Sequence, residues 1–323
     1  MTDIFDIICI GAALVDMVAK VERHPLEDDE VFVSELTLLS GGAAANTAYA
    51  CAQIGLHSAF IGKLGKDDTF GSKIIHDFTE GGVNTAYLKY SPAHGTGSAY
   101  VALNEEGDRR IYAHSGAANY LSKEDIQEEE LKATKTIFLS SLKNLEPFIE
   151  AAKIGKANRI PVLLNPGMLI IDQGFEKIKG LLTLLDILIL SQREFSTLLN
   201  LDTLSNNEEK VRQKCDLLLG LGMKGIVITR GNKGALLVTE EEMGEVPPLE
   251  VNTVVDTTGA GDAFSAGFLY GFVENLSYET NDLLRDVQFG NYVASHCIQQ
   301  LGARHGIPTQ QEIQKYKVQL KTE

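Results

Sequence analysis

Strand-like and helix-like runs alternate along most of this chain, and the later strand-like runs are apolar without interruption. "KTIFLSS" (135–141), "IPVLLNPG" (160–167), "DILILS" (186–191) and "GIVITRG" (225–231) show no inward–outward alternation. A strand exposed on one face alternates. A strand covered on both faces does not, and such strands belong to parallel sheets sandwiched between helices. Helical stretches at 146–157, 175–185 and 208–220 separate these runs. Earlier, "DIICIG" (6–11) precedes the small-residue helix "GAAANTAYACAQIG" (42–55), and "SAFIGKLG" (58–65) precedes "TFGSKIIHDFTEGG" (69–82). The pattern predicts a doubly wound, mainly parallel α/β fold. A length of 323 residues suits one large domain with an appendage.

Two stretches break the rhythm. Residues 13–40 hold alternating strand-like pieces without a helix pattern, and "GSAYVALNEEGDRRIYAH" (97–114) reads as a hairpin turning at "NEEGD". Together they predict a small β-sheet lid at 13–40 and 97–114, standing over a large domain made of 1–12, 41–96 and 115–323.

Composition narrows the function. Hydrophobic residues make up 44% and charged residues 23%, an ordinary soluble mix, and the net charge of −15 argues against nucleic-acid and anionic-membrane surfaces. Cys9, Cys51, Cys215 and Cys297 are scattered without a C-x-x-C, so neither a disulfide framework nor a zinc cluster is expected. "AFSAGFLYGFV" (263–273) and "LLTLLDILIL" (181–190) are too short to span a bilayer, and the N-terminus reads as a first strand rather than a leader. A cytoplasmic protein is the expectation.

The stretch with the most chemistry is "DTTGAGDAF" (256–264), which opens an apolar helix. Gly259, Ala260 and Gly261 have almost no side chains, so backbone N–H groups at a helix start can face an anion, aided by the helix dipole. Asp262 would then sit beside an anion site, where a carboxylate repels the ligand. That makes sense if Asp262 takes a proton from a nucleophile attacking a phosphate. The plainer reading is a glycine turn whose first-turn acid complements the dipole. The residues alone leave both open.

Other motifs weigh less. "GLGMKG" (Gly220, Gly222, Gly225) matches G-x-G-x-x-G, but it follows a helix and precedes a strand, the reverse of a dinucleotide site, so Gly222 reads as a helix end. "AFSAG" lacks the strand and first glycine of a nucleophile elbow, which leaves Ser265 as a helix-interior residue. Gly41 and Gly42 give backbone freedom ahead of a small-residue helix carrying Asn46, and Asp16 follows the first strand, on the side where α/β proteins bind ligands.

Taken together, these residues resemble the ribokinase-like (phosphofructokinase-B) family of carbohydrate kinases over about residues 4–312. "DTTGAGDAF" resembles the family's C-terminal signature, "GGAAANTAYACAQIG" its N-terminal one, and "GKDDTFG" (65–71) a further segment. The resemblance implies an ATP-dependent kinase that phosphorylates a hydroxyl of a small sugar, with a nucleoside as the rival acceptor. It implies Asp262 as catalytic base and Gly259, Ala260 and Gly261 as the anion hole. Asp16, Gly41, Gly42 and Asn46 correspond to the sugar site, and Thr229, Gly231 and Asn291 to the nucleotide site. Mg²⁺ is implied, with Glu194 acting through water. Asp256 and Thr258 match the ligands of a monovalent cation such as K⁺ in those members that bind one. A homodimer through the lid is a further expectation. An intact Gly-Ala-Gly beside Asp262 argues against a non-catalytic sensor.

The chain also departs from the family. "SQRE" presents Ser191 and Glu194 where the family has Asn-x-x-Glu, which lowers the expected metal affinity. Lys143 stands near the place of an acidic sugar contact, which disfavours a strict ribokinase and allows a different or anionic sugar.

Overall fold

A computed structural model describes residues 4–106, 108–201 and 208–320. β1 (Ile7–Gly11) opens the large sheet, and β2 (Leu14–Val21) and β3 (Val33–Gly41) leave it for a second one. α1 (Ala43–Gln53) and β4 (Ser58–Ile61) return to it. A short parallel pair, β5 (Lys63–Gly65) and β6 (Lys89–Ser91), flanks α2 (Thr69–Glu80), and β7 (Thr96–Leu103) and β8 (Arg109–Gly116) complete the second sheet. Helix and strand then alternate through α3 (Glu128–Leu131), β9 (Ile137–Ser140), α4 (Glu146–Asn158), β10 (Val162–Asn165), α5 (Gly167–Ile171), α6 (Phe175–Leu182), β11 (Ile187–Ser191), α7 (Gln192–Leu198), α8 (Glu208–Leu219) and β12 (Gly225–Thr229). β13 (Ala235–Val238) and β14 (Met243–Val246) precede three closing helices, α9 (Ala260–Asn275), α10 (Thr280–Cys297) and α11 (Gln310–Leu320).

The large sheet runs β14-β13-β12-β11-β10-β9-β1-β4. It is parallel from β4 through β12 and ends in an antiparallel edge, β12–β13–β14, which the strand–helix alternation did not foretell. Every residue of β1, β4 and β9 is buried, as the unbroken apolar runs require. One face packs under α3–α8 through residues such as Phe148, Ile178 and Phe195. The other packs under α1, α2 and α9–α11 through Phe78, Phe268 and Phe289. The smaller sheet has the order β3-β2-β7-β8, with β2 and β7 parallel and both outer pairs antiparallel.

The "GLGMKG" stretch ends a helix. α8 stops at Leu219, Gly222 takes φ 108° with its N–H 2.8 Å from Leu219 O, and β12 begins at Gly225. The strand-before-helix order of a dinucleotide fingerprint is not formed here.

α9 is buried continuously from Ala263 to Val273. Its glycines permit this, because a Cβ on Gly267 would overlap the backbone of Phe289 in α10, and one on Gly271 would overlap the Asp286 carboxylate. Asp286 is fully buried and neither oxygen has a hydrogen-bond partner. Burial pushes its carboxyl up to about 8; Asp282 and Glu274 add to the rise and Arg285 opposes it. The folded state therefore keeps a proton that the unfolded chain releases above its ordinary value of about 3.9. Stability is undiminished below that value, falls as pH rises towards 8, and stays reduced above it. Asp286→Asn should raise the melting temperature by a few degrees at pH 8, with the gain vanishing towards pH 4. Equal melting of both proteins at pH 8 would contradict a neutral, costly Asp286.

Candidate active site

The C-terminal end of β10 meets the first turns of α9, on the side where open α/β sheets usually bind ligands. Gly259 caps α9 in the left-handed region (φ 78°), with no side-chain cap, so the first amides of the helix rely on other acceptors. Ala260 N–H turns back to Thr257 O at 3.2 Å. The amides of Gly261 and Asp262 follow at the second and third helical positions, and a Cβ on Gly261 would meet nothing within 4 Å. Ala260 N–H is thus engaged within the turn, and no side chain caps the amides of Gly261 and Asp262. Ser265, one turn on, donates to Gly261 O at 2.9 Å and accepts from Asn165 Nδ2 at 3.2 Å, which ties the end of β10 to this turn.

Asp262 and Asn46 come together although 216 residues separate them: Asn46 Nδ2 donates to Asp262 Oδ2 at 3.0 Å. The small residues Ala44, Ala45 and Ala48 let α1 approach α9, and Thr47 Oγ1 reaches Ala43 O at 3.0 Å and Asp262 O at 3.4 Å. Gly42 begins α1 at φ 99°, where a Cβ would overlap Ala12 O, and its carbonyl accepts from Asn46 N at 2.8 Å. Asp16 projects from β2, and a Cβ on Gly41 would overlap its carboxylate, so the glycine makes room for the acid.

Arg304 lies near these acids, and nothing in the sequence pattern singles it out. Its Nε donates to Asn46 Oδ1 at 3.0 Å, and its charge is felt at both Asp16 and Asp262. Burial pushes the Asp16 carboxyl up to about 6, with Arg304 holding it back. Burial pushes Asp262 up to about 7; the Asn46 hydrogen bond and Arg304 lower it, and Glu194 raises it.

Glu194 and Ser191 form a capping box on α7: Ser191 N donates to Glu194 Oε2 at 2.7 Å, and Glu194 N donates to Ser191 Oγ at 3.2 Å. One Glu194 oxygen is thus committed to the cap. Ser191 pairs in register with Thr229, whose Oγ1 donates to Leu190 O at 3.4 Å; Gly231 follows at φ 59° beside open space. Asn291 is buried and donates to Pro247 O at 2.8 Å, so it anchors the strand-exit segment after β14. Asp256 Oδ1 accepts from Thr258 N and Oγ1 at 2.9 and 2.7 Å, and its Oδ2 accepts from Gly302 N at 2.9 Å. Arg109 of β8 donates to Thr258 Oγ1 at 3.1 Å, which brings a cation of the smaller sheet to the pair expected to hold a monovalent ion. Lys143 is exposed, and its carbonyl accepts from Gln173. Among the described residues no group of three or more His, Cys, Asp and Glu could hold a metal alone, and no helix is long and apolar enough to cross a membrane.

Comparison with known proteins shows the family and the fold. The sequence pattern of the pfkB family carbohydrate kinases matches residues 5–310. A Staphylococcus aureus ribokinase is 28% identical over 310 residues, 95% of this chain and 98% of that protein. A Salmonella typhi deoxyribokinase is 30% identical over 278 residues, 85% and 88% of the two chains. The structure of Arabidopsis thaliana ribokinase complexed with ribose and ATP superposes with a TM-score of 0.84 at 28% identity, covering 97% of this chain and 98% of that one. The chain belongs to the pfkB family of carbohydrate kinases. It has the ribokinase-like fold and is an ATP-dependent carbohydrate kinase.

The electrostatics can be tested without substrate. Carboxyl ¹³C shifts followed against pH should show one resonance titrating near 6 that Asp16→Asn removes and one near 7 that Asp262→Asn removes. If either variant removes only a resonance titrating in the ordinary range near 4, the buried-acid description of that site is wrong.

Proposed function

We propose that this kinase transfers the γ-phosphoryl group of ATP to a hydroxyl of a small sugar, with Asp262 as general base. The observation that carries the reading is the Asp262 carboxylate, held by Asn46 Nδ2 at 3.0 Å in the first turn of a helix whose opening amides no side chain caps. An alcohol is a poor nucleophile until its proton has an acceptor, and a base poised near the working pH can take that proton. The amides of the Gly259–Gly261 turn, at the positive end of α9, stabilise charge on the transferring group. Asp16 accepts hydrogen bonds from neighbouring sugar hydroxyls, with Gly41, Gly42 and Asn46 completing that wall. Thr229 and Gly231 line the nucleotide side, and Asn291 supports it from behind.

Glu194, with one oxygen left over by the α7 cap, would hold Mg²⁺ through a water. A hard dication near phosphates needs few protein ligands. When bound, Mg²⁺ neutralises charge on the phosphates. The oxygens of Asp256 and Thr258 suit a monovalent cation, which would have to displace the Arg109 guanidinium from Thr258 Oγ1. The small sheet closes over the acceptor and excludes water. Exposed Leu36, Leu38, Ile111 and Tyr112 on β3 and β8 support pairing of two copies through it. ATP as donor and four unpaired cysteines favour a cytoplasmic setting.

A panel of pentoses, hexoses and nucleosides with ATP and Mg²⁺, read as ADP release, tests the reading. A sugar should lead every nucleoside by roughly tenfold or more in kcat/KM, about 1.4 kcal/mol of discrimination. A nucleoside in the lead would move the acceptor class, and no turnover with any member would contradict the proposal.

A further inference from the structure

Arg304 is a buried cation whose role the family reading does not supply. It lies beyond α10, 258 residues from Asn46 in sequence, in a segment with no catalytic motif. Its Nη1 and Nη2 are buried without hydrogen-bond partners. Asp77, whose charge also faces it, is already bonded by Ser40 Oγ at 2.6 Å and Lys73 Nζ at 2.9 Å. A buried charge is costly unless it is paired or used, so the bond that Arg304 does make carries the argument.

That bond settles the orientation of an amide. A guanidinium has five N–H donors and no acceptor, so the Asn46 atom facing Arg304 Nε must be the oxygen. With Oδ1 held at 3.0 Å by Arg304, Asn46 has only its NH₂ to offer Asp262, and Nδ2 stands 3.0 Å from Asp262 Oδ2. The guanidinium is itself fixed, lying 4.9 Å from the Tyr49 ring centroid and 5.6 Å from that of fully buried Phe78. Without Arg304 the amide could turn and set its oxygen lone pairs against the carboxylate.

We propose that Arg304 is a positioning residue for phosphoryl transfer: it locks the Asn46 amide, so that Asp262 keeps one oxygen bonded and presents the other to the acceptor hydroxyl. The proposal rests on Asp262 being the base. The groups that face this carboxylate are Arg304, Glu194 of α7 and Cys297 of α10; Arg304 in turn faces Asp16 of β2 and Asp77 of α2. Arg304 is the cation of that set, so removing it raises the pH at which the base ionises.

The test is the pH profile of kcat/KM for wild type, Arg304→Gln, Arg304→Lys and Asn46→Ala, with kcat and the KM for ATP measured beside it. Arg304→Gln should lower kcat by about 10²-fold through misorientation and move the acid limb up by about one pH unit, with the KM for ATP unchanged. Arg304→Lys should keep the limb near wild type while losing part of kcat. Adding Arg304→Gln to Asn46→Ala should cost little more than Asn46→Ala alone, because the residues act in series. Where the glutamine variant does not fold, the lysine variant in both Asn46 backgrounds reads the same coupling. A wild-type limb that stays in place in Arg304→Gln with kcat intact, or fully additive losses, would overturn the role of Arg304. A wild type with no acid limb near 7 would remove the base itself, and this proposal with it.

Discussion

The close approach of α1 to α9 is the contact on which the site depends. α9 is buried along eleven consecutive residues, Ala263 to Val273, so its N-terminus can be placed only if its neighbours come close. Alanines 44, 45 and 48 allow this on one side, and Gly267 and Gly271 allow it against α10 on the other. The result joins distant parts of the chain, most directly through the hydrogen bond from Asn46 to Asp262 over 216 residues. A bulky residue at any of these small positions would displace the helix start, and with it both the uncapped amides and the acid beside them.

The electrostatics follow from that placement. The chain as a whole carries −15, yet the site is organised around one internal cation, Arg304, set among Asp16, Asp77 and Asp262. Burial drives Asp16 and Asp262 towards their neutral forms, and Arg304 draws both back. This balance leaves one acid titrating at about 6 and the other at about 7, both within the range where a carboxylate can accept a hydroxyl proton and still be ionised at neutral pH. A fully solvated aspartate would be ionised but a weak base, and an unpaired buried one would stay protonated.

Much of this was legible in the sequence. Uninterrupted apolar strands announced a sheet covered on both faces, the alternating pieces at 13–40 and 97–114 correspond to four strands of a separate sheet, and "DTTGAGDAF" marked the helix start. The antiparallel edge β13–β14 was not legible, because short buried strands look alike whichever way they run. Arg304, Asn165 and Arg109 were invisible because each acts through a partner 100 or more residues away, a distance at which local spacing carries no information. The burial of Asp286 was hidden for a related reason, since an acid on a polar-looking helix gives no sign that a glycine lies opposite it.

The central claim is that Asp262 performs the chemistry and is not a structural acid at a helix start. Asp262→Asn keeps the shape and the Asn46 contact and removes the base, so single-turnover phosphoryl transfer, measured beside equilibrium binding of ATP and acceptor, separates the two. The account predicts a transfer rate lower by about 10²–10⁴-fold, with both affinities nearly unchanged. Transfer close to the wild-type rate, with chemistry shown to be the slow step, would contradict it.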